Sequence, residues 1–389
     1  MKIAIIVIDT LRLDTFNELK DKKRYLLEDF STIDSCIAPA PWTLPSHASL
    51  FTGLYPSQHK AHETKYIKSL NIDKIKLKKK TFVSILNKKF KTIAISANPY
   101  VNPIYGFDEF KIFYEETYFT DVFGSIFEVS KELKEKVAKY RDQTSSNTLL
   151  TIMNILKNDK KLFFEVAKDS IINMPSSIKK KFKAYYIDKW PLEKGGKNIV
   201  KRVKELNIKD NTFLFVNLME AHDPYLRRDN FNWSTPFLKI QPNEQMIKEW
   251  KNKYRLASER AMIYAKDIAE RFLDDGLVII TSDHGQEFNE HGFIGHGTML
   301  HDEIVKVPLA IHMPKRFEFK EMNKYSSLVN ISKFLFGILS NNKSAYKLLY
   351  SNVVYSESFG IPANISMIKG IDINKIMKNE IYRKRVFKS

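Results

Sequence analysis

Short apolar runs that stop abruptly at polar residues set the rhythm of this chain. Ile3-Ala4-Ile5-Ile6-Val7-Ile8 is continuous, mostly β-branched, and closed by Asp9. A strand buried on both faces of a parallel sheet has this pattern, whereas a half-solvated strand would alternate. The pattern recurs in Lys91 to Asn98, closed by Pro99, and in Thr212 to Leu218, which runs into Met219-Glu220-Ala221-His222-Asp223-Pro224-Tyr225. It recurs again in Gly276 to Thr281, which delivers Ser282-Asp283-His284-Gly285-Gln286-Glu287, and in Val307 to His312. Glu244 to Phe272 is helical in pattern, and strand-like Asn352-Val353-Val354-Tyr355 lies near the end. Strands alternating with helices predict an α/β fold with a mostly parallel sheet. In such sheets ligands bind at the carboxyl ends of the strands, so the polar residues closing each run are the first candidates for chemistry.

The stretch Ala40-Pro41-Trp42-Thr43-Leu44-Pro45-Ser46-His47-Ala48-Ser49-Leu50-Phe51-Thr52-Gly53 adds a helix start to these strand ends. Pro45 as first helical residue predicts a helix from Ser46, with Thr43 and Leu44 as the approach to its N-terminus. There a side chain faces free N–H groups and the positive end of a helix dipole, which suits a phosphate or sulfate. Thr43 as a simple helix cap is the competing reading, as is Asp9 as a cap for the segment from Thr10. His291, His296 and His301 follow at five-residue intervals, which is not a helical spacing, so a loop presenting His291 or His296 inward is expected.

From about Tyr118 to Lys201 the chain turns lysine-rich with helical periodicity, including Leu149 to Leu156. This predicts a helical insertion at 118–201 within a catalytic domain spanning 1–315, followed by a small C-terminal subdomain over 316–389. The insertion is read as an amphipathic cover, a lid, or a docking surface touching an anionic membrane peripherally.

With 389 residues, 43% of them hydrophobic, the chain can bury one large core or two ordinary ones. Its single cysteine, Cys36, excludes an intrachain disulfide framework and a cysteine-rich zinc site. Sixty-three Lys and Arg against 45 Asp and Glu leave a formal charge of +18, which suits an acidic partner. No nucleic-acid-binding motif accompanies the charge. A non-catalytic polyanion binder, acting only through this surface, is the alternative from another class. The first apolar run ends too soon for a signal peptide, and no segment reaches the ~18 apolar residues of a membrane helix. The expectation is therefore a soluble, cytoplasmic protein.

One parallel sheet can bring Asp9, Thr43, Asp283 and His284 together. Two carboxylates, an imidazole and a hydroxyl form a mixed shell suited to one divalent metal, Mn²⁺ or Zn²⁺ first, with Ca²⁺ or Mg²⁺ also compatible. A metal there would activate the Thr43 hydroxyl as a nucleophile.

Five motifs in order carry a resemblance: Ile8-Asp9-Thr10-Leu11-Arg12; Thr43-Leu44-Pro45-Ser46-His47 with Leu50-Phe51-Thr52-Gly53-Leu54-Tyr55-Pro56; His222-Asp223-Pro224-Tyr225; Ser282-Asp283-His284-Gly285; and Gly295-His296-Gly297. In these the chain resembles the sulfatase branch of the alkaline phosphatase superfamily, from Ile3 to about Pro314. The resemblance implies a doubly wound α/β fold with helices on both faces of the sheet. It implies a nucleophile at Thr43 that also contacts metal, and Asp9, Asp283 and His284 as ligands. It further implies that His222 and His296 bind the transferred phosphate or sulfate or protonate the leaving oxygen. Asp223 and His291 are further candidates for substrate binding, and His47 for the catalytic set.

The departures sharpen this. Sulfatases carry Cys or Ser at the nucleophile, converted to formylglycine, and an Arg where this chain has His47. The extra methyl of Thr43 allows oxidation to a ketone but not to that aldehyde. Threonine with Asp and His resembles instead the phosphoethanolamine and phosphoglycerol transferases of the superfamily, which are membrane-anchored. The two-metal phosphatases need Asp-x-x-x-His, and the fourth residue after Asp223 is Arg227, so one metal is expected. The expected activity is hydrolysis or transfer of a sulfate or phosphate ester, of a glycan or lipid-like substrate, with a sulfatase lacking formylglycine as the alternative.

Overall fold

The computed structural model describes residues 1–63, 75–98, 100–101, 103–113, 148–172, 193–223, 242–360 and 385–388, with a few positions between 133 and 140. Pro224, Tyr225, Arg227 and most of the 118–201 stretch lie outside the described residues. The chain divides into two compact units, one of residues 1–114, 193–225 and 229–389, the other of 115–192 and 226–228. The C-terminal segment from residue 316 falls within the first unit, and the second begins and ends near, but not at, the limits expected for the insertion.

Seven strands build the main sheet of the first unit: β1 (Ile3–Ile8), β2 (Ser31–Ile33), β3 (Lys91–Ser96), β4 (Glu109–Ile112), β5 (Thr212–Leu218), β6 (Leu277–Thr281) and β7 (Leu309–His312). Their order is β2-β7-β6-β1-β5-β3-β4. β1 pairs in parallel with β5 and β6, and β3 in parallel with β4 and β5, while β7 runs antiparallel to its neighbours β6 and β2. The central strands are the apolar runs of the sequence, and the two faces of β1 explain why those runs are unbroken. Ile3, Ile5 and Val7 enter one core with Leu44, Ala48 and Phe51 of the Thr43–Thr52 helix and Phe334, Leu335 and Ile338 of the Val329–Leu339 helix. Ala4, Ile6 and Ile8 enter the other with Phe16 and Leu19, with Ile199 and Val203, and with Ala257, Ala261 and Ala265 of the Glu244–Ala269 helix. Burying both faces leaves no solvent side on which alternation could be tolerated. The result is a doubly wound sheet between two helical layers.

The Glu244–Ala269 helix begins where Asn243 caps it, its side chain accepting from the Met246 N–H at 2.9 Å. The C-terminal segment is tied to the main unit by backbone pairing of Cys36–Ile37 with Tyr325–Ser327, which also pairs with Tyr350–Ser351. The strand expected at Asn352–Tyr355 instead runs Tyr355–Ser358 and pairs with Arg385–Lys388. Val353 and Val354 supplied an apolar pair that looks like strand, but the pairing partner sets the register.

In the second unit, helices Thr148–Asn158 and Lys160–Ile172 pack together around Ile155 and Leu162, joined by Leu133. Met153, Leu156 and Phe164 are exposed there. Among the described residues, no helix is long and apolar enough to cross a membrane.

Candidate active site

The carboxyl ends of four adjacent strands supply the polar groups. Asp9 follows β1, Asn98 follows β3, His222 follows β5, and Asp283 with His284 follows β6. Opposite them begins the helix carrying Thr43. It starts at Thr43 itself rather than at Ser46: Trp42 is the N-cap, in extended conformation, and the Ser46 N–H makes the first turn's bond to the Trp42 carbonyl at 3.3 Å. Pro45 is thus the third helical residue. It is still within the first turn, where a missing N–H leaves no intrahelical bond unmade. Thr43 is not the cap, and its hydroxyl is turned elsewhere.

Thr43 Oγ1 lies 3.5 Å from Asp9 Oδ2, 3.4 Å from His284 Nε2 and 3.4 Å from Asn98 Nδ2. All these residues are buried. The Asn98 side-chain oxygen Oδ1 accepts from the Tyr100 N–H at 2.8 Å, which points the side-chain NH₂ at Asp9 Oδ2, 2.6 Å away. His284 Nδ1 lies 3.0 Å from the Gly285 carbonyl, an acceptor only, so Nδ1 carries the proton and Nε2 presents a lone pair. That lone pair faces Asp9 Oδ1 at 3.8 Å and Asp283 Oδ2 at 3.4 Å. Both carboxylate oxygens are buried without a hydrogen-bond partner.

Burial and the charge of Asp9 push the Asp283 carboxyl well above its usual range, and burial pushes the His284 imidazole down to about 4. Two orphaned carboxylate oxygens, a neutral imidazole lone pair and a hydroxyl, converging in a buried place, are a donor set that fits a divalent cation. A buried pair of like charges without one is costly. Asp9, Asp283 and His284 each offer a ligand atom within 4.8 Å of the others.

The backbone around these groups is over-determined. Thr10 adopts φ 60°, unusual for a β-branched residue, and thereby turns its N–H toward Asp283 Oδ1 at 3.3 Å. Tyr254 of the Glu244–Ala269 helix holds that turn, donating to the Thr10 carbonyl at 2.7 Å and accepting from the Arg12 N–H at 2.8 Å. Ser46 Oγ donates to the Asp283 carbonyl at 2.6 Å. A Cβ on Gly285 would come within 2.0 Å of the Glu303 carbonyl oxygen, so only glycine lets the two segments close.

His47 stands behind the threonine. Its Nδ1 donates to the Thr43 carbonyl at 2.9 Å and lies 3.5 Å from Asp283 Oδ2, while its ring meets Phe215 edge-on at 5.8 Å. These contacts run to the Thr43 backbone rather than to its hydroxyl, so His47 positions Thr43 and Asp283. His296 does line the site: its ring centroid is 4.5 Å from that of His284 and 5.0 Å from that of His222. Its Nδ1 is 2.7 Å from Gln286 Oε1, and desolvation, with His284 and His222 nearby, holds the ring well below the usual imidazole range. Asp223 Oδ1 is 3.1 Å from His222 Nδ1, and His222, Asp223 and His296 each present a ligand atom within 4.8 Å of the others. His291 is placed elsewhere, against Glu303 and His301.

Three residues of the site escaped the sequence reading. Asn98 closes an apolar run just as Asp9 does, and the same rule would have found it. Lys194 is buried and donates to the Glu220 carbonyl at 3.1 Å and to the His222 carbonyl, fixing the turn that carries His222. Among 63 basic residues nothing singled it out. Tyr254 reads as an ordinary core aromatic.

The sulfatase family profile matches residues 3–340. No curated protein matches the chain in sequence. Among solved structures, the phosphonate monoester hydrolase SpPMH from Silicibacter pomeroyi is similar at 13% identity and TM-score 0.55, covering 92% of this chain and 79% of that one. The integral membrane protein lipooligosaccharide phosphoethanolamine transferase A (EptA) from Neisseria meningitidis is similar at 12% identity and TM-score 0.53, over 90% of this chain and 56% of that one. The C-terminal periplasmic domain of EcEptC from Escherichia coli, in complex with Zn, is similar at 11% identity and TM-score 0.50, over 90% of this chain and 86% of that one. At these identities the likeness is one of fold. The chain belongs to the sulfatase family of the alkaline phosphatase superfamily, and is an enzyme of that hydrolase and transferase class, which acts on sulfate or phosphate esters and generally uses a divalent metal ion.

Proposed function

We propose that this enzyme transfers a phosphoryl or substituted phosphoryl group from a phosphate ester, with Thr43 as nucleophile and a covalent Thr43 ester as intermediate. The observation that carries the reading is the convergence of Asp9, Asn98 and His284 on Thr43 Oγ1 at the start of a helix. Asp9, Asp283, His284 and Thr43 would hold one divalent metal, Zn²⁺ or Mn²⁺ before Ca²⁺, because an imidazole stands among the oxygen donors. Bound there, the metal supplies Lewis acidity that makes the hydroxyl acidic enough to attack at neutral pH.

The protein's own groups do the rest. Thr43 Oγ1 forms the new bond to phosphorus as the bond to the leaving oxygen breaks, and Asp9 Oδ2, 3.5 Å away, is the carboxylate oxygen that takes its proton. The Asn98 amide and the free N–H groups of the helix start stabilise the charge on the transferred oxygens. His296 and His222, whose rings meet edge-on at 5.0 Å, give a proton to the leaving oxygen and then take one from the incoming acceptor, the negative charge of the bound ester offsetting the burial that otherwise keeps His296 neutral. Water as acceptor gives hydrolysis and an alcohol gives transfer. Phosphate is favoured over sulfate because Thr43 cannot become the aldehyde on which formylglycine sulfatases depend.

Aryl phosphate monoesters, phosphodiesters and sulfate esters, compared with purified protein loaded with Zn²⁺ or Mn²⁺, test the reading. Turnover is expected on phosphate esters, with His296→Ala losing about 10²–10⁴-fold and most for alkyl leaving groups, which need a proton more than aryl ones. Sulfate esters turned over fastest would establish the alternative, a sulfatase without formylglycine. Inactivity on all three classes, with polyanion binding unaffected by Thr43→Ala, would leave only a binding protein.

A further inference from the structure

Glu287, His291, His301 and Glu303 form a cluster that the transfer chemistry does not use. Glu287 opens the hairpin of Glu287–Phe288 and Ile294–Gly295, His291 lies in its turn, and His301 is the N-cap of the short Asp302–Val305 helix that carries Glu303. His301 Nδ1 is 2.8 Å from Glu287 Oε1, and His291 Nε2 is 3.0 Å from Glu303 Oε2. The two imidazoles lie nearly over one another, centroids 4.1 Å apart at 38°. Glu287, His291 and His301 each present a ligand atom within 4.8 Å of the others.

The local charges call for a cation. Glu287 is 1% exposed. Arg12, close by, is committed to Asp14 at 2.6 Å and to Glu290 at 2.7 Å, and Lys251 also pairs with Glu290, at 2.9 Å. A carboxylate buried this deeply ordinarily has a paired charge or a metal. His291, by contrast, is 45% exposed, so the cluster opens to solvent on one side and an ion could enter.

We propose that Glu287, His291 and His301, with Glu303 alongside, bind a divalent transition metal of the Zn²⁺ class, separate from the one at Thr43. Two imidazoles with two carboxylates select Zn²⁺ over Ca²⁺ or Mg²⁺, which favour oxygen-only shells. Tetrahedral bonds of about 2.0–2.2 Å require the ligand atoms, now within 4.8 Å of one another, to draw in to separations of about 3.4 Å. The metal would clip the hairpin to the Asp302–Val305 helix, on either side of His296, and so hold the loop from Gly285 to Gly297 in place.

The test uses full-length protein stripped by a chelator and titrated with Zn²⁺ against a chromophoric competitor, and with Co²⁺ followed by its visible absorption. In an Asp283→Asn background, which disables the Thr43 site, a four-coordinate Co²⁺ band is expected to persist. It should vanish on adding either His291→Ala or His301→Ala. Each of these, alone in the natural sequence, should bind one equivalent fewer and lose part of the metal-induced rise in Tm. Glu287→Gln guards against simple misfolding, because it keeps an oxygen to accept from His301 while removing the charge. It should fold at least as stably without metal and still bind one equivalent fewer. Unchanged stoichiometry and an unchanged metal-induced Tm rise in Glu287→Gln and His301→Ala would overturn the proposal and leave two His–Glu hydrogen bonds. Tighter binding of Ca²⁺ than of Zn²⁺ would overturn it equally.

Discussion

Thr43→Ala is expected to lose roughly four to six powers of ten in kcat on phosphate esters, the scale on which deletion of a covalent nucleophile acts. The loss should leave the fold intact. Thr43 is not the helix cap, since Trp42 occupies that position, so no capping bond disappears with the hydroxyl. Thr43→Ser is the informative partner. It keeps the oxygen that lies within 3.5 Å of Asp9, His284 and Asn98 and gives up the methyl that restricts its rotamer. It should fall by no more than about a hundredfold, the cost of a loosened attack geometry. Turnover of the alanine variant near that of the natural protein would mean that some other group, or water, attacks directly.

Asp283→Asn carries the second large effect, and its sign differs between the metal-free and metal-loaded protein. Asp283 Oδ1 accepts from the Thr10 N–H at 3.3 Å and the His284 N–H at 3.1 Å, and asparagine can keep both bonds. Oδ2 is the buried oxygen without a partner, facing Asp9 and His284. Removing its charge relieves the repulsion with Asp9, so the metal-free variant should unfold at the same temperature as metal-free natural protein or higher. Loaded with Zn²⁺ or Mn²⁺ the order should reverse. A site filled at a thousandfold over its Kd stabilises by about 4 kcal/mol, and the variant forgoes that increment. Activity should drop by about three powers of ten, matching the several kcal/mol of transition-state stabilisation that a Lewis acid provides. Differential scanning calorimetry with and without metal, beside elemental analysis, reads both arms. A variant less stable than natural protein in the metal-free state would show that the Asp283 carboxylate is a structural hydrogen-bonding group.

The sequence is most informative where burial is complete. β1, β5 and β6 are covered on both faces, so their side chains are apolar apart from Asn217 and the terminal Thr212 and Thr281, and the polar residues ending each run therefore mark the ligand edge of the sheet. Asp9, Asp283 and His284 are legible for this reason. Thr43 is legible because a proline follows it within the first turn, even though a proline at the third position resembles one at the first and displaces the expected start to Ser46. What stays hidden depends on partners remote in sequence. Lys194 matters because the Glu220 and His222 carbonyls reach it, and Tyr254 because the Thr10 turn does. Neither partner is visible from the residue's own neighbourhood. His291 and His296 look equivalent in the chain, both histidines beside glycines. Only the hairpin between Glu287 and Gly295 sends His296 toward His284 and His291 toward Glu303.

The central claim is that the transferred group passes through Thr43, and the most direct measurement is to trap it there. Protein loaded with metal and mixed with a phosphodiester that has a good leaving group would be acid-quenched during turnover, digested and mapped by mass spectrometry. The account predicts that the peptide carrying Thr43 gains the mass of the transferred phosphoryl moiety. The adduct should sit on Thr43, be absent in Thr43→Ala, and accumulate in His296→Ala if proton transfer to and from the acceptor is slowed. Steady turnover with an unmodified Thr43 peptide, and no adduct on any other residue, would contradict it.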